Sequence, residues 1–229
     1  MASYNEIGYD ILEIINNNNI SDDEDVSLEQ VFYHLAIQRN AWMEKTYNKS
    51  GRSIPRHMIQ DLGCLELEEV DAADCCDIQV GCTMLRTKKK LPQFLSLHGG
   101  EVITRVGPVH KLQAPYTYTS QARAILTSFE KYGSKVIQAF LLNEHMTLVI
   151  KDPSMQMLTH INVAGVIADP KDALAFRCDD GESCFSYDEQ YPIPIGMLGY
   201  IKDQILNQFG VAAQFAKDES NNAKDDITA

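Results

Sequence analysis

Apolar residues near the start of the chain recur at Ile7, Ile11, Ile14 and Ile15, a spacing that returns to one side of a helix. Ser3 stands where an N-cap would satisfy the first amides, so the pattern predicts an amphipathic helix over residues 4–16, stopped by the asparagine run 16–19. A second helix is predicted over 28–47: Ser27 and Gln30 have the spacing of a capping box, and the acidic run 22–25 lies where a helix N-terminus favours negative charge. Leu28, Val31, Phe32, Leu35, Trp42 and Met43 give it a broad apolar stripe suited to packing against the other terminal helices. Residues 49–53 read as a polar linker, after which Ile54 and Pro55 introduce a short helical element, 56–62, closed by Gly63.

From Cys64 the period falls toward two. Residues 64–70 alternate as a strand, 71–77 are turn-rich, and 78–85 read as the next strand. Residues 94–97 and 102–106 flank His98, Gly99, Gly100 and Glu101, the signal for two strands joined by a glycine-containing turn, and Gly107 and Pro108 end the second strand. The clearest hairpin pairs 136–142 with 146–150 around Asn143, Glu144 and His145, and 157–163 supplies a further strand after Asp152 and Pro153.

Helical periodicity then returns. Residues 170–174 open a short helix, and 178–190 form an acidic, turn-rich loop. A last helix begins near Pro194, set at a first helical position, with Met197, Leu198, Ile201, Ile205, Leu206 and Phe209 on its apolar face and Gly210 ending or kinking it. The polar tail beyond Lys217 is expected to be disordered in an isolated monomer. The expected fold is α+β, a mainly antiparallel β domain flanked by N-terminal and C-terminal helices that pack together. Its expected parts are a helical hairpin over 1–53, a β-rich domain over 54–190, a C-terminal helix over 191–217 that packs with the N-terminal helices, and the tail 218–229. No long helix alternates with the strands as a parallel βαβ architecture requires, which disfavours a doubly wound nucleotide-binding fold.

Composition leaves this picture standing. With 229 residues, 45% hydrophobic and 23% charged, the chain is an ordinary globular protein large enough to bury a core. A formal charge of −12 argues against broad binding to a phosphate backbone, although negative walls could line a channel through which DNA slides. The start lacks a basic region followed by an apolar core, and no apolar stretch reaches membrane-spanning length, so neither secretion nor membrane insertion is indicated. Cysteines at 64, 75, 76, 82, 178 and 184 are too sparse for a disulfide scaffold, and reduced thiols are the expectation.

The candidate chemistry is thin. Cys64, Cys75, Cys76 and Cys82 lie close together without paired zinc knuckles. Cys178 and Cys184 flank Asp179, Asp180, Gly181 and Glu182, which could be drawn as a metal or redox loop; a solvated acidic turn explains it more simply, and calcium-loop spacing is absent. Gly99, Gly100 and Gly107 belong to no phosphate-binding pattern and serve turn geometry. The histidines at 34, 57, 98, 110, 145 and 160 are scattered, and no nucleophile elbow occurs. No catalytic, cofactor-binding or metal residue is therefore assigned. A metal held by Cys64, Cys76 and distant histidines stays open, to be settled by elemental analysis. The basic run Thr87, Lys88, Lys89, Lys90 is either a solvated turn or a contact for the acidic segments 66–77 or 179–182 of a neighbouring copy.

Three segments carry a resemblance: residues 54–64 (IPRHMIQDLGC), 97–100 (LHGG) and 104–109 (TRVGPV). They resemble virion structural proteins of crAss-like bacteriophages, most of all the tail ring, or head-to-tail connector (adaptor), proteins, over about residues 54–209. The resemblance implies no enzyme, no catalytic residues and no cofactor. It implies a homo-oligomeric ring of twelve copies beneath the portal, in contact with the portal protein and neighbouring tail or ring proteins. Packaged DNA would pass through its lumen without specific binding, and no membrane is involved. The location implied is the virion tail or neck, after assembly in the host cytoplasm. Two other readings stay open: a phage-encoded enzyme, with polar groups converging in one deep pocket of a monomer, and a small regulatory binding module absent from the virion.

Overall fold

A computed structural model of the chain describes residues 2–16, 26–50, 53–71, 83–128, 136–150, 157–178 and 181–209. They form two compact units, one from Met1–Met58 with Tyr187–Ala229 and one from Ile59–Ser186. The fold is α+β as the periodicities predict, with helices from both chain ends in one unit and a mostly antiparallel sheet in the other.

The helical unit contains α1 (Tyr4–Ile15), α2 (Leu28–Ser50) and the last helix of the chain, α4 (Ile195–Gln208). The N-cap expected at Ser3 and the capping box expected at Ser27 both form, and Ser3 closes a capping box as well. Ser3 Oγ accepts from Glu6 N at 3.1 Å while Ser3 N donates to Glu6 Oε2 at 2.8 Å, and Ser27 exchanges the equivalent pair with Gln30 at 3.3 and 3.0 Å. The helix α2 runs to Ser50 and takes in the start of the expected linker, because nothing from Asn48 to Ser50 breaks a helix. Pro194 is the N-cap of α4 and not its first helical residue, with ψ at 131° where extended backbone turns in. The stop at 17–19, the acidic run 22–25, Gly210 and the tail 218–229 lie outside the described residues.

Aromatic packing ties this unit together. The Tyr4 ring lies 4.3 Å from Phe32 and 4.9 Å from Tyr191, which joins α1 to α2 and to the segment before α4. The apolar stripe of α2 buries Val31, Phe32, Leu35, Met43 and Tyr47, while Trp42 is half-buried with its ring edge-on to Tyr47. At the centre of that stripe sits Arg39, fully buried, its Nε donating to Pro192 O at 2.9 Å. Asp10 on α1 pairs with Lys202 on α4, and His34 on α2 meets Phe209 edge-on at 5.1 Å.

The sheet unit begins with β1 (Gln60–Asp71) and β2 (Thr83–Thr87), followed by a two-rung hairpin of β3 (Ser96–Leu97) and β4 (Gly100–Glu101). Then come β5 (Ile103–Gly107), β6 (Thr117–Tyr118), helix α3 (Gln121–Ser128), β7 (Gln138–Leu142), β8 (His145–Val149) and β9 (His160–Gly165). The seven-stranded sheet has the order β5-β9-β1-β2-β8-β7-β6. The peptide between Glu66 and Leu67 shows how β1 serves two partners. Its N–H donates to Thr159 O at 2.8 Å on one side, and its carbonyl accepts from Lys88 N at 2.9 Å on the other, as a trans peptide's opposed groups allow. The far strands also meet: Tyr116 N donates to Val106 O at 2.7 Å, so the sheet curls on itself toward a barrel. Leu65, Ala139, Met146, Leu148, Ile161 and Val163 are among its buried residues.

Four expectations shift here. The helical element at 56–62 shrinks to one 3-10 turn, Arg56–Met58, and Gly63 is a strand residue. The strand expected over 102–106 forms as Ile103–Gly107 but joins the large sheet beside β9, while Ser96–Leu97 pairs with Gly100–Glu101 from within the expected turn. The strand expected at 157–163 starts later, at His160. A helix does separate two strands: β6 and β7 are parallel, and α3 is their crossover. Its residues Gln121, Ala122, Arg123 and Ala124 are strong helix formers behind Ser120, a signal the period-two reading passed over. The hairpin of β7 and β8 forms as expected, on a two-residue turn with Asn143 and Glu144 both at positive φ. The turn region beyond Asp71, the first part of the expected strand 78–85, and Asp152 with Pro153 lie outside the described residues.

Candidate functional site

A polar knot in the sheet unit forms around a β-bulge between Asp61 and Cys64, where β1 shifts register against β9. Gly63 has φ +68°, and a Cβ there would lie 2.2 Å from the carbonyl oxygen of Arg177, so only glycine lets the two backbones approach. Asp61 Oδ1 accepts from Gly63 N at 3.0 Å and from the buried Asn162 amide, which also donates to Gly63 O at 3.3 Å. Lys111 pairs with the other oxygen of Asp61 at 2.9 Å. Burial alone would raise the Asp61 pKa, but the Lys111 pair and the amide donors outweigh it and hold the carboxyl below its ordinary value. This is a structural joint in which Asp61, Lys111, Gly63 and the Asn162 amide nitrogen partner one another, while the buried Asn162 Oδ1 has no hydrogen-bond partner among the described residues.

The segment packed on this bulge corrects the expectation of reduced thiols throughout. Cys178 and Cys184 are joined as a disulfide, with Cα atoms 5.0 Å apart. Gly181 at φ +83° and the bridge between Arg177 and Ser183 fold the intervening loop back on itself, a short-range geometry that counting cysteines against chain length does not reveal. Asp179 and Asp180 lie outside the described residues, as do Cys75, Cys76 and Cys82, while Cys64 is exposed.

The basic run leaves β2 with each member partnered inside the chain. Thr87 is buried, and its hydroxyl accepts from Met146 N at 3.1 Å. Lys88 pairs with Glu66 at 3.1 Å and Lys90 with Glu144 at 2.8 Å. Lys89 donates to the Ala175 carbonyl and lies 4.5 Å above the Phe176 ring. The Lys90 ammonium beside Glu144 holds that carboxyl below its ordinary range. These are surface pairs of small energy, but together they tie the exit of β2 to β1, to the β7–β8 turn and to the 3-10 turn Pro170–Ala175.

The six histidines stay dispersed. His34 packs on Phe209, His145 Nδ1 lies 2.6 Å from Thr87 O, His160 contacts Thr159, and His57, His98 and His110 are exposed. Among the described residues no group of three or more histidine, cysteine, aspartate or glutamate side chains is placed to hold a metal ion, and no helix is long and apolar enough to cross a membrane. Among the described residues, the sheet unit carries two open clefts of note. One, of about 440 Å³, is mostly apolar and lies between Pro108, Pro115, Tyr116 and Ile137. The other, of about 490 Å³, lies where Lys88, Lys89 and Arg177 surround Leu65 and Phe176. Neither gathers the nucleophile, base and oxyanion donors that a reaction needs.

The family of phage tail ring protein 2 matches residues 6–227, and the chain belongs to that family. It is also 25% identical over 230 residues to ring protein 2 of Bacteroides phage crAss001, an alignment covering 98% of each chain. The chain is thus a bacteriophage tail ring protein, structural and not enzymatic, as the resemblance implied.

Proposed function

We propose that the chain assembles into a closed ring of twelve identical copies that joins the portal to the rest of the tail and leaves a passage for DNA. The match to the tail ring protein family over nearly its whole length carries this reading. A ring closes through heterologous contacts, in which one surface of each subunit meets a different surface of the next. Both units offer apolar side chains for such contacts: Tyr33 and Ile37, one turn apart on α2, with Ile195 and Tyr200 on α4, and Leu112, Val136 and Met157 in the sheet unit. The portal protein and neighbouring tail or ring proteins are the axial partners, met first in the host cytoplasm and retained in the virion neck. A formal charge of −12 suits a lumen that DNA crosses without specific binding. Native mass spectrometry of the purified chain, alone and with the portal protein, tests this. A twelve-copy species is expected, and a chain that stays monomeric in both samples would overturn the reading.

A further inference from the structure

The cleft of about 490 Å³ in the sheet unit has an apolar floor and a basic rim. Leu65 and Phe176 are buried at its base, while Lys88, Lys89 and Arg177 face the single carboxylate of Glu66. Lys88 already neutralises Glu66 at 3.1 Å. The Lys89 ammonium has only a carbonyl and the face of Phe176 for company, and exposed Arg177 makes no ion pair among the described residues. Among the described residues the cleft therefore carries three cations against one carboxylate, in a chain with 32 acidic and 20 basic residues.

We propose that this cleft is one side of the contact between neighbouring copies and receives an acidic segment of the second copy, with carboxylates on Lys89 and Arg177 and an apolar side chain on Leu65 and Phe176. The inference rests on the ring reading above. Copies of formal charge −12 repel one another, so a contact that closes a ring is favoured where acidic surface of one copy meets a locally basic surface of the next. Acidic residues outnumber basic ones 32 to 20, so a neighbouring copy has acidic surface to offer such a cleft. A nucleic acid fits the cleft poorly: a phosphate backbone follows a continuous positive stripe, and this is a pocket with a carboxylate on its rim.

Cys64 lines the same cleft and provides a probe. The full chain is labelled with a maleimide before and after ring assembly, and modification of each cysteine is read by peptide mass spectrometry. Assembly is followed in parallel for wild type, R177E and the K89E/R177E pair. Expected are loss of Cys64 labelling in the ring, assembly that weakens as salt rises, and ring affinity lowered about tenfold or more by R177E with an unchanged circular dichroism spectrum. R177E alone decides the matter should the double variant fail to fold. Wild-type rings that leave Cys64 reactive and assemble equally well as R177E would overturn the cleft contact and leave the ring intact. Wild type that forms no ring, alone or with the portal protein, would overturn both. DNA binding by wild type that R177E abolishes would assign the cleft to nucleic acid and overturn the proposal.

Discussion

Arg39 and Asp61 do opposite things with buried charge. Arg39 lies in the apolar stripe of α2 between Leu35 and Met43 and holds the chain at Pro192 with a charge-assisted hydrogen bond. Arg39→Ala removes that bond and opens a cavity among Tyr191 and its neighbours, so the helical unit is expected to lose about 2–4 kcal/mol in a urea titration. Asp61 is a carboxylate whose folded pKa lies below its ordinary value of 3.8. Stability from such a group is complete above the unfolded pKa and is lost as the pH falls through the lower folded value. Unfolding of the sheet unit followed from about pH 7 to about pH 2 is expected to show this acid loss in wild type and a reduced one in Asp61→Asn, with the variant weaker at neutral pH. Neither residue is legible in the sequence. An arginine reads as a break in an apolar stripe, and Gly63 beside Asp61 suits a helix end as well as a bulge, because both need positive φ. The segment that decides, Arg177 and Cys178, is distant along the chain.

At the level of elements, the local signals were the readable ones. Both capping boxes and the turn at Asn143 and Glu144 are short-range patterns, and each forms where the pattern lies. Gly8 shows where local rules stop. Alanine in place of a helical glycine ordinarily gains about 1 kcal/mol, but a Cβ at position 8 would lie 2.3 Å from the Phe32 ring and 2.9 Å from Leu28. Gly8→Ala is therefore expected to destabilise the helical unit by about 1–2 kcal/mol net, read from thermal or chemical unfolding, while Ala substitution at the open Gly196 of α4 is expected to be neutral or stabilising. Two further elements are also local: α3 is signalled by the helix formers Gln121, Ala122, Arg123 and Ala124 behind Ser120, which a strand-period reading of the region does not test, and the disulfide closes a loop of sequence separation 6 whose geometry a cysteine count does not reveal.

At the scale of the whole molecule, the polar groups of the bulge and of the β2 exit hold the fold, Asp61 with Lys111 and the amides of Gly63 and Asn162, and Lys88 and Lys90 with Glu66 and Glu144. The terminal strands of the sheet are short and are bound to each other through Tyr116 and Val106, an arrangement that disfavours strand addition and leaves side-chain surfaces for assembly. Family membership was legible from three stretches of the β-rich region, and it extends over residues 6–227. Copy number was not, since the angle between subunits is set by surfaces that only the assembled partners complete. The most direct test is quantitative mass spectrometry of purified virions, with this chain counted against the portal subunit. Twelve copies for every twelve of the portal are expected. Absence from the particle, or a ratio unrelated to the portal's symmetry, would contradict the account.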